Sequence, residues 1–321
     1  MANSSRKKIL VAVDGSNQAL EAVRYVSRIL PSEQMDVVLY HVMTKIPESF
    51  WDLEKEPAFQ SKIINIKAWE TQQEKMIEDF MDKAERILLE AGIPREMVRV
   101  NIHERREGIA RDIVTESTRG YAAVVVGRTG LSELKDLVLG SIANKLMEKL
   151  THVPIWVIGD SPQAGKLLVS LDTSEGAMQA VNYVGSMLDG SDFHVTLFHA
   201  IRGFNIFQRM QGKSFVPEHR KDWLESAEKE LEEAGRAIEP VFLEAKVRLQ
   251  QAGLKADHVD TKVVTGVSSR AGSIVEEAEK QGYGTIVVGR RGLSRVQEFF
   301  MGRVSNKVIQ LARKNAVWVV S

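Results

Sequence analysis

The chain has 321 residues, with 43 basic and 43 acidic side chains and no cysteine. The length allows two domains of ordinary size, the net charge of zero argues against a general nucleic-acid binder, and the missing cysteines exclude disulfides and thiolate chemistry. Because no apolar run approaches the roughly 20 residues that span a bilayer, we expect a cytoplasmic protein that binds neither nucleic acid nor membrane.

Strands alternate with helices through the first half of the chain. Short apolar runs rich in β-branched residues predict strands at Lys8–Val13, Val37–Val42, Val98–Ile102, Ala123–Val126 and Ile155–Ile158. Apolar positions at helical spacing predict helices at Asn17–Leu30, Ala68–Ala91, Ile109–Thr118 and Ser141–Leu150, with an irregular stretch over Met43–Lys67. This alternation predicts an α/β fold with a parallel, doubly wound sheet.

The same order restarts after a turn-rich linker, Gly159–Gly165. Asp172 and His199 lie 158 residues after Asp14 and His41, and the later glycines and Trp318 lie 162 residues after their counterparts. A fixed offset with small slips indicates a duplicated domain. We therefore expect one domain at residues 1–160 and a second at 161–321.

In the second domain a helical region, Asp222–Ala252, should break or kink at Gly235 and Pro240.

A glycine-rich turn follows the fourth strand of each half. In the first half Gly127, Gly130, Gly140 and Ser141 form the pattern Gly-x2-Gly-x9-Gly-Ser. Glycine lets a ligand approach the main chain without a Cβ atom in the way, and the helix that follows presents unpaired N–H groups that suit a phosphate. Tight turns without a ligand are the alternative interpretation of the glycines.

Other candidate residues end neighbouring strands. Asp14 ends the first strand and His41 the second, so both should reach the crevice where doubly wound sheets bind ligands. Asp14 could contact a nucleoside or serve only as a helix N-cap, and Ser141 has the same two interpretations. Arg128 is either a phosphate contact or a solvated loop arginine. We interpret His41 and His199 as structural.

Together these residues resemble a universal stress protein domain of the ATP-binding kind. The resemblance rests on the glycine pattern, the valines before it, and the opening Val11-Ala-Val-Asp14-Gly-Ser16. It covers nearly the whole chain as two tandem domains and is weakest in Met43–Lys67 and Ile201–Lys221. It implies two five-stranded parallel sheets of strand order 3-2-1-4-5, in the adenine nucleotide alpha hydrolase-like class. It also implies ATP, with Mg²⁺ as an accompanying ion, and domain pairing through the last strands, within the chain or in a homodimer.

The resemblance also implies roles for particular residues. By similarity, Asp14 and the backbone at Val42 face the nucleoside. The phosphates and ribose are held by Gly127, Gly130, Gly140 and Ser141. In the second half the matching residues are Asp172, Gly289, Gly292 and Gly302, but Arg303 replaces the hydroxyl residue. Arginine is a poor N-cap and its bulk could fill the pocket, but its charge could equally attract an anion, with Ser305 nearby. We therefore expect a competent first site and a weaker or altered second site.

The resemblance leaves three functions to be distinguished. No P-loop, nucleophile elbow, zincin or kinase signature is present, and no convincing general base can be named. We expect ATP to act as a regulatory ligand in a stress response, with at most slow turnover. A nucleotide-independent dimerisation module and a slow ATP hydrolase are the alternatives.

Overall fold

The computed structural model describes residues 6–29, 31–44, 60–131, 139–163, 165–203, 229, 231–292 and 301–321. The chain forms two compact units, residues 1–160 and 161–321. Each unit is a parallel sheet with helices between its strands, and the two are described separately below as the first and second domains.

The strands of the first domain are β1 (Lys7–Ala12), β2 (Met35–Met43), β3 (Val98–Glu104), β4 (Ala123–Gly127) and β5 (Ile155–Ile158). Its helices are α1 (Asn17–Ile29), α2 (Gln60–Glu90), α3 (Ile109–Ser117) and α4 (Ser141–Lys149). The strands lie in the order β3-β2-β1-β4-β5 and pair in parallel. The predicted fold class and strand order are confirmed.

The second domain repeats this arrangement. Its strands are β6 (Lys166–Ser170), β7 (His194–Arg202), β8 (Val259–Val267), β9 (Thr285–Gly289) and β10 (Ala316–Val320). Its helices with defined bounds are α5 (Glu175–Met187), α6 (Glu239–Gln251), α7 (Arg270–Gln281) and α8 (Arg303–Leu311). The strand order is β8-β7-β6-β9-β10, again parallel.

Central strands are buried on both faces, which explains their nearly unbroken apolar sequence. Trp156 on β5 and Trp318 on β10 are fully buried. Each meets a tyrosine of a helix in its own domain edge-on, with ring centroids 6.1 Å apart for Tyr25–Trp156 and 5.8 Å for Tyr183–Trp318. The two tryptophans are therefore equivalent core residues, and the duplication extends to the packing of helix on sheet.

Two helix boundaries differ from the prediction. Helix α2 begins at Gln60 and not at Ala68. The β-branched isoleucines of the added segment lower helix propensity only slightly, so they do not prevent a helix there. In the second domain residues 231–237 are helical, and the break falls at Ile238, directly before α6. Pro240 is tolerated in the first turn of α6 but cannot continue the preceding helix, so the break falls directly before it. Gly235 stays within that preceding helix.

Candidate functional site

Asp14 follows β1 at the carboxyl edge of the first sheet. Its Oδ1 accepts a hydrogen bond from the backbone N–H of Ser16 at 3.0 Å, and Gly15 between them has φ +89°. The cap of α1 is Ser16, whose Oγ accepts from Ala19 N at 3.1 Å. The N-cap interpretation of Asp14 is therefore wrong, since Asp14 shapes the turn while Ser16 caps the helix.

The glycine turn lies directly against Asp14. A Cβ atom built at Gly130 would clash with Asp14 Oδ2. Gly140 closes the turn, because its N–H donates to Arg128 O at 2.8 Å and a Cβ there would lie 3.3 Å from the same oxygen. The structure thus brings together Asp14, Gly130 and Gly140. Residues 132–138, within the nine-residue spacer, lie outside the described residues.

Gly127 is explained by packing inside the domain. A Cβ atom at Gly127 would lie 2.9 Å from Gln18 Cγ and 3.2 Å from the Gln18 carbonyl carbon, so α1 approaches β4 closely here. Gln18 Nε2 also donates to Ile158 O at 2.9 Å and Gly159 O at 2.7 Å. Sequence reasoning missed this glutamine, since nothing in the local pattern indicates that it bridges α1 to the end of β5.

Arg128 and Arg290 are buried, with only 3% and 4% of their surface exposed. Arg128 is therefore not a solvated loop arginine, and the same holds for Arg290 at the equivalent position. Their backbone N–H groups donate to Ile158 O at 2.9 Å and Val320 O at 2.6 Å, which ties each glycine turn to the neighbouring last strand. Burial, reinforced by the neighbouring Arg291, lowers the pKa of the Arg290 guanidinium. Phosphate contact by Arg128 stays a prediction.

The second strand of each sheet carries a histidine whose ring contacts the main chain just after the first strand. His41 Nδ1 lies 2.8 Å from Val13 O, and His199 Nδ1 lies 2.6 Å from Leu171 O. Burial lowers the pKa of His41, so the neutral ring donates its Nδ1–H to the carbonyl.

Val42, the next residue, is buried one position before the end of β2. Its counterpart by the repeat, Ala200, lines a cavity in the second domain.

Ser141 and Arg303 occupy the first position of α4 and α8 and are both exposed. The N-cap positions are Gly140 and Gly302, and neither supplies a side-chain cap. The N-cap interpretation of Ser141 is therefore wrong, and its hydroxyl stands at the open end of the helix. Ser305 does not replace it, because the Ser305 hydroxyl is buried and donates to Gly289 O at 2.7 Å.

A cavity of about 650 Å³ opens at the carboxyl edge of the second sheet. The predicted residues that line it are Asp172, Gly289, Gly292, Gly302 and Arg303. A Cβ atom at Gly292 would lie 2.8 Å from Asp172 Oδ2, which repeats the contact between Gly130 and Asp14. Arg303 forms part of the wall and leaves the cavity open, so of the two alternatives the filling of the pocket by its bulk is wrong. Attraction of an anion by its charge stays a prediction.

Membrane spans and metal sites are both missing from the described part of the chain. None of its helices is long and apolar enough to cross a membrane. No group of three or more histidine, aspartate or glutamate side chains is placed there to hold a metal ion.

Comparisons with known proteins agree with the fold of both domains. The sequence profile of the universal stress protein family matches residues 5–159 and 164–321. A universal stress protein of Mycolicibacterium smegmatis is 23% identical over 312 residues, which cover 95% of this chain and 94% of the relative. Universal stress protein YxiE of Bacillus subtilis is 26% identical over 148 residues, 46% of this chain and 93% of its own. The crystal structure of a universal stress protein from Archaeoglobus fulgidus superposes with a TM-score of 0.58 at 16% identity, covering 100% of this chain and 99% of the other.

Proposed function

The chain belongs to the universal stress protein family, and from that premise we propose that it binds ATP at the carboxyl edge of its sheets as a regulatory ligand in a stress response. The observation that carries the proposal is the contact between an aspartate and a glycine turn. Asp14 meets Gly130 in the first domain and Asp172 meets Gly292 in the second.

This contact suits a nucleotide for chemical reasons. A carboxylate at the end of a central strand accepts hydrogen bonds from the hydroxyl groups of a ribose. A glycine turn before a helix offers N–H groups to a phosphate, with no side chain in the way. Asp14 Oδ1 is already held by Ser16 N, so its other oxygen is oriented toward the glycine turn before any ligand binds, which lowers the ordering cost of binding.

The described side chains favour a regulatory role for the nucleotide over its hydrolysis. His41 sits near Asp14, but its Nδ1 is committed to Val13 O. Asp14 has one oxygen held by Ser16 N, and its other oxygen is assigned above to the ribose. A hydrolase needs a group that orients or deprotonates the attacking water. We propose that nucleotide acts by favouring one state of the protein over another, which requires only a difference in affinity between the states.

We further propose that the first site is competent and the second is altered. The difference rests on Ser141 against Arg303 at the first helical position. A small hydroxyl leaves the helix N-terminus open, whereas a long cation changes both the space and the charge there. Mg²⁺ beside the phosphates, pairing through the last strands and a homodimer stay predictions.

The test is calorimetric titration of the full chain with ATP, with Mg²⁺ and then with EDTA. Gly130→Val should remove the first site, because its side chain would displace Asp14, and Gly292→Val should remove the second. Gly235→Val is the matched control, since among the residues that the structure describes the nearest atom to a Cβ there lies 4.0 Å away. Thermal unfolding should show that all three variants fold.

Three results would change the conclusion. ATP affinity that survives Gly130→Val would show that the first site is misassigned. No ATP binding by the wild-type chain would favour the nucleotide-independent dimerisation module. Phosphate release above background that disappears in both Asp14→Ala and Ser141→Ala would favour the slow hydrolase.

A further inference from the structure

The cavity of the second domain is strongly basic. Among its described lining residues only Asp172 is acidic, whereas five are basic: Arg202, Arg270, Arg291, Arg303 and Lys307. All five are exposed at the cavity wall. Apart from Arg291, these cations form no ion pair with any residue that the structure describes. A concave wall lined by charges of one sign concentrates ligands of the opposite sign.

These charges are ordered along the sheet edge. Arg291 and Arg303 belong to the segment after β9, Asp172 follows β6, and Arg202 ends β7. Since the strand order is β9-β6-β7-β8, the edge presents cations, then a carboxylate, then cations. Arg270 opens α7 after β8 and extends the second cationic group. Neighbouring strands are about 4.8 Å apart, so the two groups are separated by roughly 10 Å or more at their main chains.

In the first domain the two positions equivalent to the second cationic group do not carry basic residues. By the strand registers and the helix starts, Arg202 corresponds to Thr44 and Arg270 to Ile109. The loop before Ile109 is held instead by a carboxylate, that of Asp112, which accepts from Arg106 N at 2.8 Å and Glu107 N at 3.1 Å. Burial alone would raise the pKa of Asp112, but these hydrogen bonds and that of Gly108 outweigh it and lower the pKa.

We propose that the second domain binds a nucleoside bisphosphate, with one phosphate on each side of its ribose. This inference rests on the proposed nucleotide-binding function and names the ligand class of the second site. The 5′-phosphate contacts the group formed by Arg291, Arg303 and Lys307. Asp172 accepts hydrogen bonds from the sugar, and Arg202 and Arg270 bind a phosphate on the 2′- or 3′-hydroxyl.

The distribution of charge favours this ligand over a linear polyphosphate. A 5′-diphosphate or 5′-triphosphate carries its anionic groups at one end only, so it leaves Arg202 and Arg270 facing a base or sugar. A bisphosphate supplies an anion to each cationic group and a hydrogen-bonding sugar to the carboxylate between them. Charge-assisted hydrogen bonds from arginine to phosphate are among the strong ones, and arginine binds phosphate in a bidentate manner.

Two probes of equal phosphate number test the proposal: adenosine 3′,5′-bisphosphate and adenosine 5′-diphosphate. They are titrated calorimetrically into the full chain carrying Gly130→Val, which leaves the second site, and into Gly292→Val, which leaves the first. We expect the second site to prefer the bisphosphate by roughly tenfold or more. The double variant Arg202→Thr/Arg270→Ile, which installs the first-domain residues, should abolish this preference. Arg313→Thr/Lys314→Thr, which removes two exposed positive charges outside the cavity, controls for the loss of charge.

The possible outcomes separate this inference from the function on which it rests. If the second site binds both probes equally, or keeps its preference in the double variant, the bisphosphate assignment is overturned while nucleotide binding stands. If neither site binds any adenine nucleotide, both proposals fail. A preference that also disappears in Arg313→Thr/Lys314→Thr would attribute the effect to overall charge and would overturn the assignment to this wall.

Discussion

The two domains keep the same main-chain contacts and differ in the side chains around them. In both, the strand-end aspartate meets the second glycine of the turn, and the third glycine donates to the carbonyl of a buried arginine at 2.8 Å. However, Ser141 of the first domain is replaced by Arg303 in the second, and Thr44 by Arg202. A duplicated domain thus retains the backbone geometry that forms the crevice, while exposed side chains on its rim differ.

A similar contrast appears where a helix packs against the glycine that ends the fourth strand of each sheet. In the first domain Gly127 packs against Gln18 on α1, whose side chain reaches the carbonyls of Ile158 and Gly159. In the second domain the counterpart of Gln18 is Gly176, and a Cβ at Gly289 would lie 2.6 Å from its carbonyl oxygen. The helix backbone approaches this glycine in both domains, more closely in the second, and the first domain adds a side-chain bridge, so their tolerance of substitution should differ.

The strongest contrast should come from Gly284→Ala in the second domain against Ala122→Gly in the first. Ala122 and Gly284 are equivalent by the repeat, but a Cβ atom at Gly284 would overlap the backbone of Gln163. Because main chain cannot move aside cheaply, Gly284→Ala should cost about 3 kcal/mol of unfolding free energy. Ala122→Gly should cost roughly 1 kcal/mol. Urea unfolding measures both, and equal costs would show that Gln163 relaxes.

A smaller and more symmetrical effect is expected from Asp14→Asn and Asp172→Asn. Asparagine retains an oxygen that can accept from Ser16 N or Ser174 N, so each turn should keep its shape. The lost charge should reduce ATP affinity roughly tenfold at the altered site only. Titration in the Gly292→Val and Gly130→Val backgrounds separates the two sites. Unchanged affinity in either background would remove that aspartate from the site.

The smallest difference should separate Ser16→Ala from Ser174→Ala. Both serines cap a helix, with Ala19 N donating to Ser16 Oγ at 3.1 Å and Ala177 N to Ser174 Oγ at 3.3 Å. Each substitution should therefore cost about 1 kcal/mol of stability. Ser174 Oγ also donates to Asp172 Oδ1, so Ser174→Ala alone should weaken ligand binding as well. Thermal unfolding and nucleotide titration measure the two effects, and equal losses of affinity in both variants would contradict the distinction.

Much of this molecule followed from its sequence. Hydrophobic periodicity predicted the alternation of strands and helices, and the nearly constant offset between matching residues, 158 for Asp14 and Asp172 and 162 for Trp156 and Trp318, indicated a duplicated domain. Because parallel strands end at one edge of a doubly wound sheet, that pattern also placed Asp14 near Gly130. These inferences depend on local periodicity and on topology, both of which one sequence expresses directly.

The tertiary structure decided what each residue does at that edge. It buried Arg128, assigned Gly127 to helix packing through Gln18, and gave the cap of α1 to Ser16. It also gathered Arg202, Arg270 and Arg303 from three separate segments around one cavity. Spacing along a chain cannot reveal such contacts, because they depend on how closely elements approach and on which side chains share a wall in three dimensions.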